Sequence, residues 1–295
     1  MKVLITGANG FLGNYLVAQL LAKNYQVIAT GKGACRLAFS GNNNFQYEPM
    51  DFTDPFAVHD IVEKYKPEIV IHAGAMTNAD KCEQEQWQAF TTNVEGTLTM
   101  LFNAEEQKSF FIFISTDFVF DGEKGAYRED DSMGPVNYYG KTKAEAEEAV
   151  REYAYDWAII RTSLVYGHAI AGKKNLLTVV KEKLEKGEEY AVVNDQVRTP
   201  TNVVDLAFGI VAIIEMKATG IFHLSGEEIL TPYEMAGILA GYLKLNTSLL
   251  KKVTAANFSQ PAKRPLNTSL VIDKAKRELA FQPGSFREGL INTFT

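Results

Sequence analysis

The feature that most constrains this chain lies at its start. A short β-branched run, Lys2 to Thr6, passes directly into Gly7-Ala8-Asn9-Gly10-Phe11-Leu12-Gly13. Apolar residues then recur at Phe11, Leu12, Tyr15, Leu16 and Leu20, a period close to 3.6, so the run to Lys23 reads as a helix. A strand that turns through glycines straight into a helix must pack that helix back on itself, the opening of a parallel crossover. Gly7 permits the tight turn, Gly10 lets backbone approach a pyrophosphate, and Gly13 allows close helix–strand packing. With the N–H groups and positive dipole of the helix start, Gly7, Asn9, Gly10, Phe11, Leu12 and Gly13 are the expected phosphate site of a dinucleotide.

The rest of the chain repeats the rhythm. Strands are expected at Gln26–Thr30, Phe45–Glu48, Ile69–His72, Phe110–Ile114 and Ala158–Arg161. Helices are expected after Asp54-Pro55, over Gln84–Glu106 and over Lys141–Tyr153. Alternation of this kind predicts an α/β fold, a doubly wound parallel sheet of the NAD(P)-binding Rossmann-like kind. After Val165 the pattern loosens. Helices are expected over Lys173–Lys186, Val203–Met216 and Thr231–Lys244, and a strand over Ile221–Leu224. The expected division is a dinucleotide-binding domain over 1–165, to which 196–224 returns, and a smaller, interleaved substrate-binding region from 166–195 and 225–295.

Composition removes other classes. Thirty Lys and Arg against 36 Asp and Glu give a net charge of −6, which argues against nucleic-acid binding by general basicity. No run approaches 18 uncharged apolar residues, and MKVLITGANG lacks a signal-peptide core, so a cytoplasmic protein without a membrane span is expected. Cys35 and Cys82 form no Cys-x-x-Cys and no disulfide framework; no metal is expected.

Two further signals concern the chemistry. The second strand ends Ala29-Thr30-Gly31-Lys32-Gly33, with Arg36 close by and no acid. An acid there would bond an adenosine 2′-hydroxyl, whereas cations accommodate a 2′-phosphate, so NADPH is expected, with NADH as the alternative. Ala73-Gly74-Ala75, after the fourth strand, is expected to let backbone approach the same cofactor. The second signal is Tyr139-Gly140-Lys141-Thr142-Lys143. At i and i+4 on a helix the phenol and ammonium share a face, and the cation lowers the pKa of a phenol that would otherwise be a poor proton donor. With 13 tyrosines in the chain one such pair is expected by chance. Its position matters more: it opens a helix after Ile114-Ser115-Thr116-Asp117, at the carboxyl end of the fifth strand, where open α/β sheets place their ligands. Thr116, Tyr139 and Lys143 are the expected catalytic set. Tyr138 is a decoy, because four residues on it meets Thr142.

The Gly-x-x-Gly-x-x-Gly spacing resembles the extended branch of the short-chain dehydrogenase/reductase superfamily. Ser115-Thr116-Asp117-Phe118-Val119-Phe120-Asp121-Gly122, Pro135 to Lys143, Arg161 to Gly167, Arg198-Thr199-Pro200-Thr201 and Arg264 to Ser269 resemble the dTDP-4-dehydrorhamnose reductase family. The resemblance implies nicotinamide-dependent reduction of the 4-keto group of a dTDP-sugar. It implies that Asp51 and Phe52 lie along the adenine, that Asn93 holds the central strands near the site, and that Asp117, Phe118 and Leu164 face the sugar. Phe118 stands where the family has tyrosine and Leu164 where it has tryptophan, so an altered sugar pocket is expected. Sugar-nucleotide dehydratases carry Asp-Glu after the threonine; Phe118 in the glutamate's place argues against them. Epimerases use the same three catalytic residues, and the late Arg-Pro pair favours a reductase over them. The regulatory subunit of methionine adenosyltransferase is similar too and gives a non-catalytic alternative. A nucleotide-sugar substrate is the expected partner, with a homodimer left open.

Other residues carry weaker expectations. His72 is expected to be a satisfied core residue, and His168 a minor substrate candidate. Arg198 and Arg264 are candidates for the substrate's pyrophosphate, since guanidinium forks suit phosphate oxygens. Glu145, Glu147 and Glu148, with Lys141 and Lys143, read as a solvated helix face.

Overall fold

The computed structural model describes residues 1–168, 175–257 and 260–294. Its elements run β1 (Lys2–Thr6), α1 (Phe11–Ala22), β2 (Gln26–Gly31), β3 (Phe45–Pro49), α2 (Pro55–Tyr65), β4 (Ile69–His72), α3 (Ala79–Gln84), α4 (Gln86–Phe90), a π-helical turn (Thr91–Glu95), α5 (Gly96–Glu106) and β5 (Phe110–Thr116). There follow α6 (Tyr138–Arg151), β6 (Trp157–Thr162), β7 (Val165–Tyr166), α7 (Leu176–Glu185), β8 (Tyr190–Val193), β9 (Thr201–Asn202), α8 (Val203–Met216) and β10 (Gly220–His223). Last come α9 (Pro232–Tyr242), β11 (Leu250–Val253), α10 (Asp273–Leu279) and α11 (Phe286–Phe294).

Seven strands form one parallel sheet in the order β3-β2-β1-β4-β5-β6-β10. Both faces are covered, and the side chains show it with a period of two. Val3, Ile5, Ile71, Ile112 and Ile160 pack with Leu16 and Leu20 of α1 and Ile210 of α8. Leu4, Val70, Phe111, Phe113 and Ile159 pack on the opposite face with Val58 of α2, Met100 of α5 and Val150 of α6. The strand order reverses between β1 and β4, which opens a crevice at their carboxyl ends. A third cluster, including Leu177, Val180, Val192, Met235, Leu239 and Leu290, joins α7, β8, α9 and α11. There β8 pairs with β11 in a small parallel sheet.

Helix starts follow local chemistry. Asp54 accepts hydrogen bonds from the Phe56 and Ala57 backbone N–H groups, with Pro55 in the first turn of α2. Thr231 and Glu234 form a reciprocal capping box on α9. The single helix expected over Gln84–Glu106 is corrected to α4, the π turn and α5, after a break at Glu85 that separates α4 from α3. The helix expected from Lys173 begins at Leu176; residues 173 and 174 lie outside the described residues.

Candidate active site

The glycine loop lies at the reversal point of the sheet. Gly10 occupies the N-cap of α1, and no side chain caps the helix there, so its first turn is free to meet phosphate. A Cβ on Gly13 would stand 2.5 Å from Ala8 Cα, so only glycine lets α1 lie this close to the turn. Gly74, after β4, donates its N–H to Thr6 Oγ1 at 3.1 Å, which ties the β4 loop to the end of β1. A cradle of bare backbone over an uncapped helix suits a dinucleotide pyrophosphate.

Beside the glycine loop, Asn9 and Tyr47 form a hydrogen-bonded cluster. Asn9 Nδ2 donates to the Tyr47 hydroxyl at 2.7 Å and to the Ala34 carbonyl at 3.1 Å, while its Oδ1 accepts from the Arg36 N–H at 2.9 Å. The Tyr47 hydroxyl lies 2.9 Å from the carbonyls of both Gly31 and Gly33. Asn9 therefore fastens the loop after β2 to the glycine turn. Lys32 and Arg36 are exposed beside it. Here the expectation of no acid near Lys32 is corrected: Asp51, which follows β3, brings Oδ2 to 2.7 Å from Lys32 Nζ. Strands β2 and β3 are neighbours in register, Gly31 opposite Pro49, so residues just beyond their ends meet. Phe52 is buried, its ring edge-on to His72 at 5.0 Å, and it packs in the core beneath the loop.

Thr116 ends β5, and Tyr139 and Lys143 lie in the first half of α6, all three buried. The Tyr139 ring lies edge-on to Phe118, two residues beyond Thr116, so the start of α6 meets the end of β5. Thr116 Oγ1 donates to Asp117 Oδ1 at 3.1 Å and accepts from the Phe118 N–H at 3.2 Å. Asn137 caps α6 by accepting from the Gly140 N–H at 2.9 Å. A Cβ on Gly140 would stand 2.2 Å from the Phe118 carbonyl oxygen, so this glycine lets α6 meet the end of β5. Lys143 Nζ sits 3.8 Å from the centre of the Phe113 ring. Burial pushes the Tyr139 phenol well above its ordinary value, opposed in part by the polar Thr116 side chain. Burial also brings Lys143 down to about 7, opposed by the charge of Glu147. A buried phenol and a buried amine within one helical turn are suited to moving a proton.

Across its full length the chain matches a family model described as the RmlD substrate binding domain, residues 1–295. This chain belongs to the RmlD family. It is 34% identical over 291 residues to the spore coat polysaccharide biosynthesis protein SpsK of Bacillus subtilis, covering 98% of this chain and 95% of that one. It is 32% identical to methionine adenosyltransferase 2 subunit beta of Pongo abelii, covering 98% of this chain and 86% of that one. The crystal structure of dTDP-4-dehydrorhamnose reductase from Bacillus anthracis in complex with NADP superposes with a TM-score of 0.87 at 28% identity, covering 99% and 98% of the two chains. The fold and the family are those of the extended short-chain dehydrogenases/reductases.

Within this RmlD-family chain several predicted residues take other partners. Asp117 is buried, with Thr116 on one oxygen and Ser163 at 2.9 Å and Thr268 on the other. Arg198 Nε lies 3.7 Å from the same carboxylate, and its terminal nitrogens donate to the carbonyls of Val197, Pro265 and Leu266. Arg264 forks onto Asp80, which also accepts from the Ala262 N–H at 3.1 Å. The guanidinium groups expected at a pyrophosphate are thus engaged with the protein. Phe118 packs edge-on to Tyr139 at 5.9 Å, and the Arg198 guanidinium lies 5.5 Å from the centre of its ring. Leu164 is partly exposed at a φ of +37°. Asn93, in the π turn, accepts from the Met76 N–H at 2.8 Å and donates to Thr142 Oγ1 at 3.0 Å, tying the β4 loop to α6. Ala73 and Ala75 flank Gly74 in that loop and are partly exposed. His72 is a core residue, 2.7 Å from Thr6 Oγ1 and 3.1 Å from Thr97 Oγ1. His168 is exposed, and its carbonyl accepts from the Tyr15 hydroxyl at 3.0 Å.

One expectation fails outright. Glu147 is not on a solvated face: it is fully buried with Arg161, Nη2 to Oε2 at 2.7 Å, and Lys143 is buried beside it. The register Lys143, Glu147, Val150 carried the signal, since the i, i+4 and i+7 positions share the apolar stripe.

Proposed function

We propose that this chain is an NAD(P)H-dependent reductase of a nucleotide-linked 4-keto sugar, of the dTDP-4-dehydrorhamnose reductase kind. The observation that carries the reading is that α6 sets buried Tyr139 and Lys143, one turn apart, against the end of β5 where Thr116 lies, in an RmlD-family chain. The nicotinamide cofactor, when bound, supplies the hydride. The remaining work falls to the chain. Tyr139 gives its proton to the carbonyl oxygen as charge develops there. Lys143 as an ammonium favours the phenolate left behind and holds the nicotinamide ribose. Thr116 turns its hydroxyl from Asp117 to the same carbonyl oxygen, a rotation open to any hydroxyl. The first turn of α1 takes the cofactor pyrophosphate. Lys32 and Arg36 take the adenosine 2′-phosphate of NADPH. The region built from 166–195 and 225–295 receives the sugar nucleotide.

The same reading includes a cytoplasmic location and leaves a homodimer open. Among the described residues no helix is long and apolar enough to cross a membrane, and both cysteines are free. A second reading, a regulatory subunit, draws on the similarity to methionine adenosyltransferase 2 subunit beta. A panel of nucleotide 4-keto sugars with NADPH and NADH, followed at the nicotinamide absorbance, separates the two. Turnover with a dTDP-4-keto sugar supports the reductase. Cofactor binding without turnover of any member favours the regulatory reading.

A further inference from the structure

Glu147 stands one turn beyond Lys143 on α6, and its carboxylate is held from two strands. Ser115 Oγ of β5 donates to Oε1. From β6, Arg161 Nε donates to both oxygens at 3.1 Å and Nη2 donates to Oε2 at 2.7 Å. Both side chains of the ion pair have no exposure to solvent. The arginine is completed by the Glu129 carbonyl at 3.2 Å and by the Phe120 ring, 5.0 Å from the guanidinium carbon. Ser115 is opposite Arg161 in the sheet and Thr116 opposite Thr162. The carboxylate therefore binds the helix that carries Tyr139 and Lys143 to the residue that precedes Thr116.

Stability alone does not account for such a pair, because apolar replacements of buried ion pairs are often neutral or stabilising. The surroundings of Lys143 supply a reason. From β4 it faces His72, which burial and the lysine's own charge keep neutral down to about pH 3. From β5 it faces the Phe113 ring. Its own helix contributes Tyr139 and Glu147, with Arg151 Nη2 at 3.9 Å from Glu147. Asp117 and Cys82 act on the Tyr139 phenol beyond it, and Arg161 lies behind Glu147. Glu147 is the negative group in this set that acts on Lys143.

We infer that Glu147 is a positioning residue for the reaction: clamped by Arg161 and Ser115, it holds α6 in register with Thr116 and sets a buried carboxylate one helical turn from Lys143. The role rests on the reductase reading, because only there does the ammonium serve Tyr139.

The test is the titration of Lys143 itself, read by NMR of protein labelled with carbon-13 at the lysine ε-carbon and assigned with Lys143→Arg. Wild-type Lys143 is expected to titrate at about 7. Glu147→Gln is expected to lower that by about one pH unit or more, as loss of a nearby buried charge requires. The alkaline limb of kcat should move the same way, so that kcat at about pH 8 falls about tenfold while the cofactor KM holds. Glu147→Leu with Arg161→Met restores apolar packing without charge and should lower the titration as well. An unmoved titration in either folded variant overturns the proposal. So does loss of the folded state in both, since the pair would then be a folding determinant. An inactive wild type with a Glu147-dependent titration sinks the reductase reading instead and leaves the coupling of the two residues standing.

Discussion

Lys32 Nζ lies 2.7 Å from Asp51 Oδ2, a pair formed just beyond the ends of two neighbouring strands, β2 and β3. The carboxylate is further oriented by Thr53, whose hydroxyl donates to Oδ1 at 2.8 Å. Both charges of the pair are substantially exposed, so it holds Lys32 weakly, and in the proposed reading the lysine is free to take the 2′-phosphate. NADPH is expected to be used at least as well as NADH. Asp51→Asn, which frees the lysine, should raise the NADPH preference by up to about fivefold. Lys32→Glu should shift preference toward NADH by about 1–3 kcal/mol, the worth of a charge-assisted bond. The ratio of kcat/KM for the two cofactors is the measurement, and a wild type that strongly prefers NADH contradicts the assignment.

Tyr139→Phe keeps the ring that packs against Phe118 and removes the proton. A loss of about 10²–10⁴ in kcat is expected, with the cofactor dissociation constant nearly unchanged. Tyr138→Phe should do far less, since that residue is anchored through its backbone N–H to Glu83 at 2.9 Å. Equal impairment of the two variants would show that the wrong tyrosine carries the proton.

Two buried histidines give the fold a dependence on pH. Burial pushes His72 and His223 down to about 3, so both are neutral in the folded chain and charge only on unfolding. Below their ordinary value of about 6.5 the unfolded chain binds more protons, and stability falls as pH falls. Each histidine contributes a loss of up to about 1.4 kcal/mol per pH unit between roughly pH 6 and 3. His223→Gln should remove one share of that slope while retaining a donor for the Val271 carbonyl, which lies 3.2 Å from Nδ1. Denaturant unfolding of both proteins at several pH values reads the difference, and parallel slopes would refute it.

Leu164 holds a φ of +37° with its side chain about a third exposed, at 36%. A non-glycine residue in that region costs about 1–3 kcal/mol. Leu164→Gly is therefore expected to leave the melting temperature unchanged or raised, although it removes a large side chain. A clear drop would mean that the leucine is packed in a way its exposure denies.

In the proposed reading Leu164 and Phe118 face the sugar; there, without an indole and a phenol, the pocket would offer fewer specific contacts, and discrimination would suffer more than binding. Calorimetry is expected to find dTDP bound but a free hexose not, with slow turnover of the 4-keto rhamnose precursor. Phe118→Tyr with Leu164→Trp should raise kcat/KM for that precursor by about tenfold. Efficient wild-type turnover, at about 10⁴ M⁻¹s⁻¹ or above, would show that both substitutions are silent.

The sequence by itself determined the sheet, the glycine turn that opens α1 and the order of the candidate catalytic residues along the chain. Glycines between Thr6 and Leu16, strands with two buried faces and Tyr-x-x-x-Lys after Thr116 are local patterns, governed by backbone sterics and periodicity. Tertiary structure decided which charges stay in water. Asp51 and Lys32 are far apart in the chain and meet because β2 and β3 are neighbours. Glu147 reads like its neighbours Glu145 and Glu148, yet it is withdrawn from solvent because Arg161 arrives from β6 at the one height on α6 where a carboxylate faces the sheet. Arg198 and Arg264, plausible phosphate ligands by composition, are drawn to Asp117 and Asp80 for the same reason. A charge entering low dielectric is held by whichever opposite charge the fold brings near, and that distance is set by packing between segments remote in sequence.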